Sequence, residues 1–130
     1  PQRGWNPPST RRVSSGPVLW GTWCPPCVRE MPHLDEVWRR HHAADDFQIL
    51  GLTTDFSARG EAGLTAAREE VAAFLSETAV GYPILLLEHG DFAAFAVESY
   101  PTTLWLEDGV VRGYFVGIDG TFELLDRLGL

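Results

Sequence analysis

The chain has two cysteines, and they stand as Cys24-Pro25-Pro26-Cys27. A pair this close closes a ring too small to restrict the unfolded chain much, so it makes a poor structural staple. Disulfide scaffolds carry more pairs, spread along the sequence. The pair is therefore read as a reactive one, and its surroundings restrict the fold. Ahead of it, Pro17-Val18-Leu19-Trp20 is an apolar run suited to a strand buried on both faces. Behind it the pattern turns helical from Pro25 to about Arg40, with Cys27, Met31, Leu34 and Trp38 on one face. Pro32 falls inside that helix and is expected to kink it. A thiol at a strand-to-helix junction implies an α/β fold.

The rest of the chain extends this pattern. Residues 1–16 are rich in Pro, Arg, Ser and Gly and form a loose lead-in, with Trp5 as its expected anchor on the body at 17–130. Asp45-Asp46 make a turn before the strand Phe47–Thr54. Leu64–Thr78 is an amphipathic helix with Leu64, Ala67, Val71, Phe74, Leu75 and Thr78 on one side. Tyr82-Pro83 leads into the strand Ile84–Leu87, and Asp91–Val97 is a short helix. Thr102–Leu106 and Val110–Val116 are strands joined through Glu107-Asp108-Gly109, a hairpin signal. Thr121–Leu128 is a last helix, stopped by Gly129. Parallel strands linked through helices come first and an antiparallel hairpin follows, with helices on both faces.

Composition removes several functions. At 130 residues and 45% apolar content, one domain with one core is expected. No run reaches the ~18–20 apolar residues of a membrane span. Eighteen acidic residues against ten basic ones, a net charge of −8, argue against a nucleic-acid or anionic-membrane partner. The basic residues are all arginine, so Schiff-base lysine chemistry and a phosphate-binding P-loop are both absent. The first residue is Pro1 and not methionine, and no signal peptide is visible, so a processed piece is expected.

The pair itself fits redox chemistry. A thiolate at a helix N-terminus is stabilised by the helix dipole and by free backbone N–H groups. Cys24 is expected as the N-cap and exposed nucleophile, Pro25 at the first helical position, and Cys27 as the buried resolving thiol. Pro25 and Pro26 remove two N–H donors from the neighbourhood of the Cys24 sulfur. This favours a reducing couple, near roughly −270 mV, over an oxidising one near roughly −120 mV. Other readings stay open. Zinc would need more ligands, with His33, His41 and His42 the nearby candidates. Two thiolates would also suit copper(I), making the chain a copper or haem chaperone. A thiol peroxidase fits less well, because Gly21 stands where its hydroxyl residue belongs.

Trp20-Gly21-Thr22-Trp23-Cys24-Pro25-Pro26-Cys27-Val28-Arg29-Glu30-Met31-Pro32 resembles the thioredoxin-like thiol-disulfide oxidoreductases of TlpA, ResA and DsbE type. So do Gly81-Tyr82-Pro83-Ile84 and the distant Tyr100-Pro101-Thr102-Thr103-Leu104-Trp105-Leu106-Glu107-Asp108-Gly109. The resemblance implies a thioredoxin-like fold: a central mixed sheet flanked by helices, with a TlpA-type central insertion at Leu64–Thr78 and the strand after it. It implies a cis peptide at Pro101, facing the dithiol. Glu30 would handle the proton of the buried thiol. Trp23, Pro25, Pro26, Tyr100, Pro101 and Thr102 would meet substrate, with the Tyr100 backbone pairing to an extended segment. It further implies no cofactor beyond the Cys24–Cys27 disulfide and no metal. The domain would be a monomer in an extracytoplasmic compartment. It would act on protein disulfides, including those of cytochrome c maturation, and be recharged by a membrane-bound thiol reductant. A disulfide-forming oxidase of the same fold is the alternative.

Overall fold

The computed structural model describes residues 14–43 and 47–130. Trp5 and the Asp45-Asp46 turn lie outside the described residues. The elements run β1 (Ser14–Trp20), α1 (Pro25–His41), β2 (Phe47–Thr53), α2 (Gly60–Glu77), β3 (Ile84–Leu86), α3 (His89–Ala93), β4 (Thr102–Glu107), β5 (Val110–Val116) and α4 (Gly117–Arg127). The strands form one five-stranded sheet in the order β3-β2-β1-β4-β5. β1 pairs in parallel with β2, and β2 with β3, while β4 runs antiparallel to both β1 and β5. The mixed sheet and its closing hairpin agree with the sequence. Asp108 and Gly109 both take positive φ (53° and 79°), as a two-residue hairpin turn of the primed type requires.

Several boundaries differ from the pattern-based expectation. β1 begins at Ser14 and not at Pro17, because its early residues are paired on both sides, Ser14 with Phe47 and with Glu107. Backbone pairing extends the strand past the point where apolar patterning stops. α2 starts at Gly60 and α4 at Gly117, each a turn ahead of its apolar stripe. The stripe records the buried face, and the first turn of α2 is exposed at Gly60, Glu61 and Ala62. α3 is shorter and earlier than Asp91–Val97; Ala96, at φ 55°, has left the helical region. α1 continues through Pro32 as one helix.

Alternate residues of β1 supply both faces of the sheet. Val18 packs with Leu34 and Val37 of α1 and Leu124 and Leu125 of α4. Leu19 packs with Leu52 and with Phe92 of α3. Trp20 lies with Cys24, Cys27 and Met31, and Phe74 and Leu75 of α2 close over them. The dithiol therefore sits at the end of the central strand, roofed by the core.

A buried carboxylate fastens α1 to the turn ahead of β3. Asp35 accepts the Gly81 N–H at 2.6 Å and the Arg39 Nε–H at 2.9 Å, and a second Arg39 nitrogen closes on the same oxygen. Arg39 is 69% exposed, so water screens its half of the pair. Asp35→Ala is expected to lower stability by about 1–3 kcal/mol, because the Gly81 amide loses its acceptor. Arg39→Ala is expected to cost about 1 kcal/mol or less. Urea midpoints of the two variants check this; equal losses would mean that the amide bond contributes nothing beyond the ion pair.

Candidate active site

The site is built from the last residue of β1 onward. Gly21 makes the turn out of the strand, and a Cβ there would collide with the Trp23 indole folded back over it. The Gly21 carbonyl accepts the Cys24 N–H at 3.1 Å, which holds the turn closed. Cys24 then caps α1 with extended backbone (φ −117°, ψ 98°), and Pro25 and Pro26 fill the first helical positions. A proline there loses no helical hydrogen bond. The Cys27 N–H donates to the Cys24 sulfur at 3.3 Å. It takes the place of the donors that the two prolines remove. The two sulfurs are bonded, with the Cα atoms 5.3 Å apart.

The cap and the order of burial agree with the sequence reading, but the degree of exposure does not. Cys24 is 6% exposed and Cys27 1%, so the outer cysteine is itself largely covered. The covering comes from the core cluster around Trp20 and Met31, with Tyr100 against it. The Trp23 ring, 43% exposed, stands edge-on to Tyr100 at 5.2 Å. Pro25 is exposed and Pro26 half-buried. The Tyr100–Pro101 peptide is cis, Pro101 is buried, and its carbonyl accepts the Gly117 N–H at 2.7 Å. Thr102 turns inward; its hydroxyl donates to the Ser99 carbonyl at 2.7 Å. So Trp23, Pro25 and Tyr100 present surface, whereas Pro101 and Thr102 support the loop from below.

Glu30 follows Cys27 by three residues, on the same face of α1. It is 3% exposed, and its Oε2 has no hydrogen-bond partner. Burial disfavours the charged form and raises its pKa from 4.5 to about 7, against a smaller opposing pull from a Thr121 hydrogen bond. Thr121 and Tyr82 are residues that the sequence did not assign to the site. Thr121 is buried, with its hydroxyl 3.4 Å from that of Thr103 and 3.3 Å from the Gly117 carbonyl. Tyr82 is buried, and burial together with the nearby Glu30 and Asp35 carboxyls pushes its phenol pKa up. No spacing signal marks either residue, because both reach Glu30 from other elements.

The histidines offered as zinc ligands are engaged elsewhere. His33 meets Phe122 edge-on at 4.9 Å, His41 lies near Phe47 at 6.3 Å, and His42 stacks on Trp38 at 3.8 Å. Among the described residues no three His, Cys, Asp or Glu side chains gather where they could hold a metal ion. No helix among them is long and apolar enough to cross a membrane.

Comparison with known proteins points the same way. The thioredoxin-like protein YneN of Bacillus subtilis is 30% identical over 113 residues, which cover 86% of this chain and 61% of YneN. The chain is similar in sequence to this thioredoxin-like protein over most of its own length. The thiol-disulfide oxidoreductase ResA of Halalkalibacterium halodurans is 27% identical over 91 residues, 69% of this chain and 46% of that protein. The thioredoxin-like chain thus spans about half to three fifths of the length of these relatives. No family model matches it. Among solved structures, StoA from Bacillus subtilis superposes with a TM-score of 0.68 at 19% identity, covering 87% of this chain and 80% of StoA. A structure assigned to the thiol:disulfide interchange protein DsbE of Chlorobium tepidum gives 0.72 at 19% identity, covering 90% and 79%. At these identities the superpositions show the thioredoxin-like fold alone.

The raised pKa of Glu30 has a consequence for stability, and its sign is fixed. In the unfolded chain the carboxyl ionises near 4.5; in the fold it stays neutral to about 7. The native state therefore holds the extra proton across that window, and stability falls as pH rises through it. Glu30→Gln lacks this titration. Its stability relative to the parent is expected to rise by roughly 3 kcal/mol between pH 4.5 and 7.5. Guanidinium unfolding of both oxidised proteins at the two pH values reads the difference; a constant gap would show that the carboxyl is not held neutral.

Proposed function

We propose that this domain is a thiol-disulfide oxidoreductase that reduces disulfides of extracytoplasmic proteins. The observation that carries the reading is the arrangement along α1. Cys24 sits at the helix N-cap, Cys27 lies one turn inside, and a buried carboxyl follows on the same face. The relation to ResA and YneN supports it.

In the reduced domain, Cys24 attacks one sulfur of a substrate disulfide. A new S–S bond forms between Cys24 and the substrate as the old one breaks, and the other substrate sulfur leaves as a thiolate that takes up a proton. Cys27 passes its proton to the Glu30 carboxylate and attacks the Cys24 sulfur. The Cys24–Cys27 disulfide forms, and the second substrate thiol is released. The substrate gains two electrons and two protons; the domain loses them and reaches the disulfide state described above. A carboxyl with a pKa of about 7 suits this transfer, being near the pH at which it must accept and return a proton. Trp23, Pro25, Pro26 and Tyr100 form the face that receives the substrate, with Pro101 and Thr102 holding the loop beneath it, and the Tyr100 backbone pairs with an extended segment. The lead-in to this domain ends ahead of β1, and α2 and β3 form its central insertion. A membrane-bound thiol reductant returns the electrons, and the domain works as a monomer without a further cofactor. The resemblance to ResA and DsbE makes the cysteines of cytochrome c, before haem attachment, one substrate to test.

Two measurements check the proposal. Equilibration with glutathione buffers is expected to place the Cys24–Cys27 couple below about −220 mV; a value near −120 mV would make the domain an oxidase. Cys27→Ala is expected to accumulate a covalent Cys24 adduct with a disulfide substrate, seen as a mass shift that dithiothreitol reverses. Turnover by the parent without any adduct in the variant would overturn the division of roles between the cysteines.

A further inference from the structure

Trp23, the residue before Cys24, lines a cavity of about 210 Å³ whose walls are mainly aromatic. Trp23, Tyr100 and Phe92 line one side in sequence, Trp23 edge-on to Tyr100 at 5.2 Å and Tyr100 stacked on Phe92 at 5.6 Å. Phe56 and His89, with ring centres 6.0 Å apart, line the other. Trp23 is the residue before Cys24 and Tyr100 the residue before Pro101, so the cavity is continuous with the face that meets substrate. Phe56 is 76% exposed on the loop after β2, so it adds little to the core. Together with Trp23 it makes an apolar rim that the fold does not require.

We infer that this cavity is a specificity pocket for a large apolar side chain, phenylalanine, tryptophan or leucine, placed next to the reactive cysteine of the substrate. The inference rests on the reductase reading above. Size and charge select the occupant. Pockets for cofactor-sized or drug-sized ligands run to roughly 300–1,000 Å³, and this one is smaller, on the scale of one large side chain. Aromatic walls also suit a cation, but the Arg59 guanidinium stands 3.2 Å from His89 Nδ1 at the rim and repels one. An acidic side chain would have to give up water for walls made mainly of rings. An apolar group is left, gaining contact with the rings as its cysteine reaches Cys24. Phe56 and Ala93, which also lines the cavity, are the positions that set its size.

The test uses disulfide-bonded peptides differing only in the residue next to the cysteine: tryptophan, leucine, glycine or arginine, placed before or after it. The reduced protein is expected to reduce the tryptophan and leucine peptides with a kcat/KM roughly tenfold above the glycine and arginine peptides. Phe56→Ala, which opens the pocket, and Ala93→Trp, which fills it, are each expected to bring that ratio down to about two or below. Equal rates for all peptides with the parent protein would overturn the pocket and leave the reductase reading intact. A preference that persists unchanged in both variants would overturn it too, because selection would then reside elsewhere. Failure to reduce any peptide or glutathione disulfide would overturn the reductase reading, and the pocket with it.

Discussion

The central position of β1 is the constraint on which the site depends. β1 is hydrogen-bonded along both edges, to β2 in parallel and to β4 antiparallel. Its last residue, Trp20, is buried with both cysteines, and the chain leaves it through one tight turn into α1. Because β4 lies directly beside β1, the segment that opens β4 is brought to the end of β1 where the cysteines sit. Pairing between two strands more than eighty residues apart in sequence thus sets Thr102 opposite Leu19 and packs Tyr100 against the cluster that holds both cysteines. Neither segment would have a fixed geometry alone; each borrows it from the sheet.

Burial of Glu30 acts against this order. A carboxyl shut away from water with one oxygen unpartnered lowers stability at neutral pH, where it must carry charge or hold a proton against solution. The opposing contributions are the apolar packing of α1 and α4 on the sheet and the Thr121 hydrogen bond, which is too weak to restore an ordinary pKa. This carboxyl, buried one turn from Cys27, is the observation on which the proposed proton transfer rests.

Much of this was legible in the sequence, for physical reasons that differ by residue. Cys24, Pro25 and the helix that follows could be read because a cap, a first-turn proline and a stripe at helical spacing are local signals. The hairpin could be read because Asp108-Gly109 tolerates positive φ. Thr121 and Tyr82 could not: each is an ordinary residue on its own element and gains meaning only through Glu30, on another. The same holds for Phe56 and Phe92, which stand thirty-six positions apart and share a cavity only after β2 and α3 have been packed. The early start of β1 was hidden because backbone pairing, unlike side-chain burial, has no signature in apolar patterning. The covering of Cys24 was missed because the helix N-terminus fixes where the thiol lies, but Tyr100 and the core cluster decide how much water reaches it.

The two prolines between the cysteines have a consequence for how the site moves. Each ring locks its own φ near the helical value. The stretch from Cys24 to Cys27 therefore has little backbone freedom to lose when the sulfurs join and little to regain when they part. What freedom the pair keeps lies mainly in the χ1 rotations of the two cysteine side chains. With the backbone so restricted, the surface around the pair is shaped by the rings that pack on it, Trp23 and Tyr100.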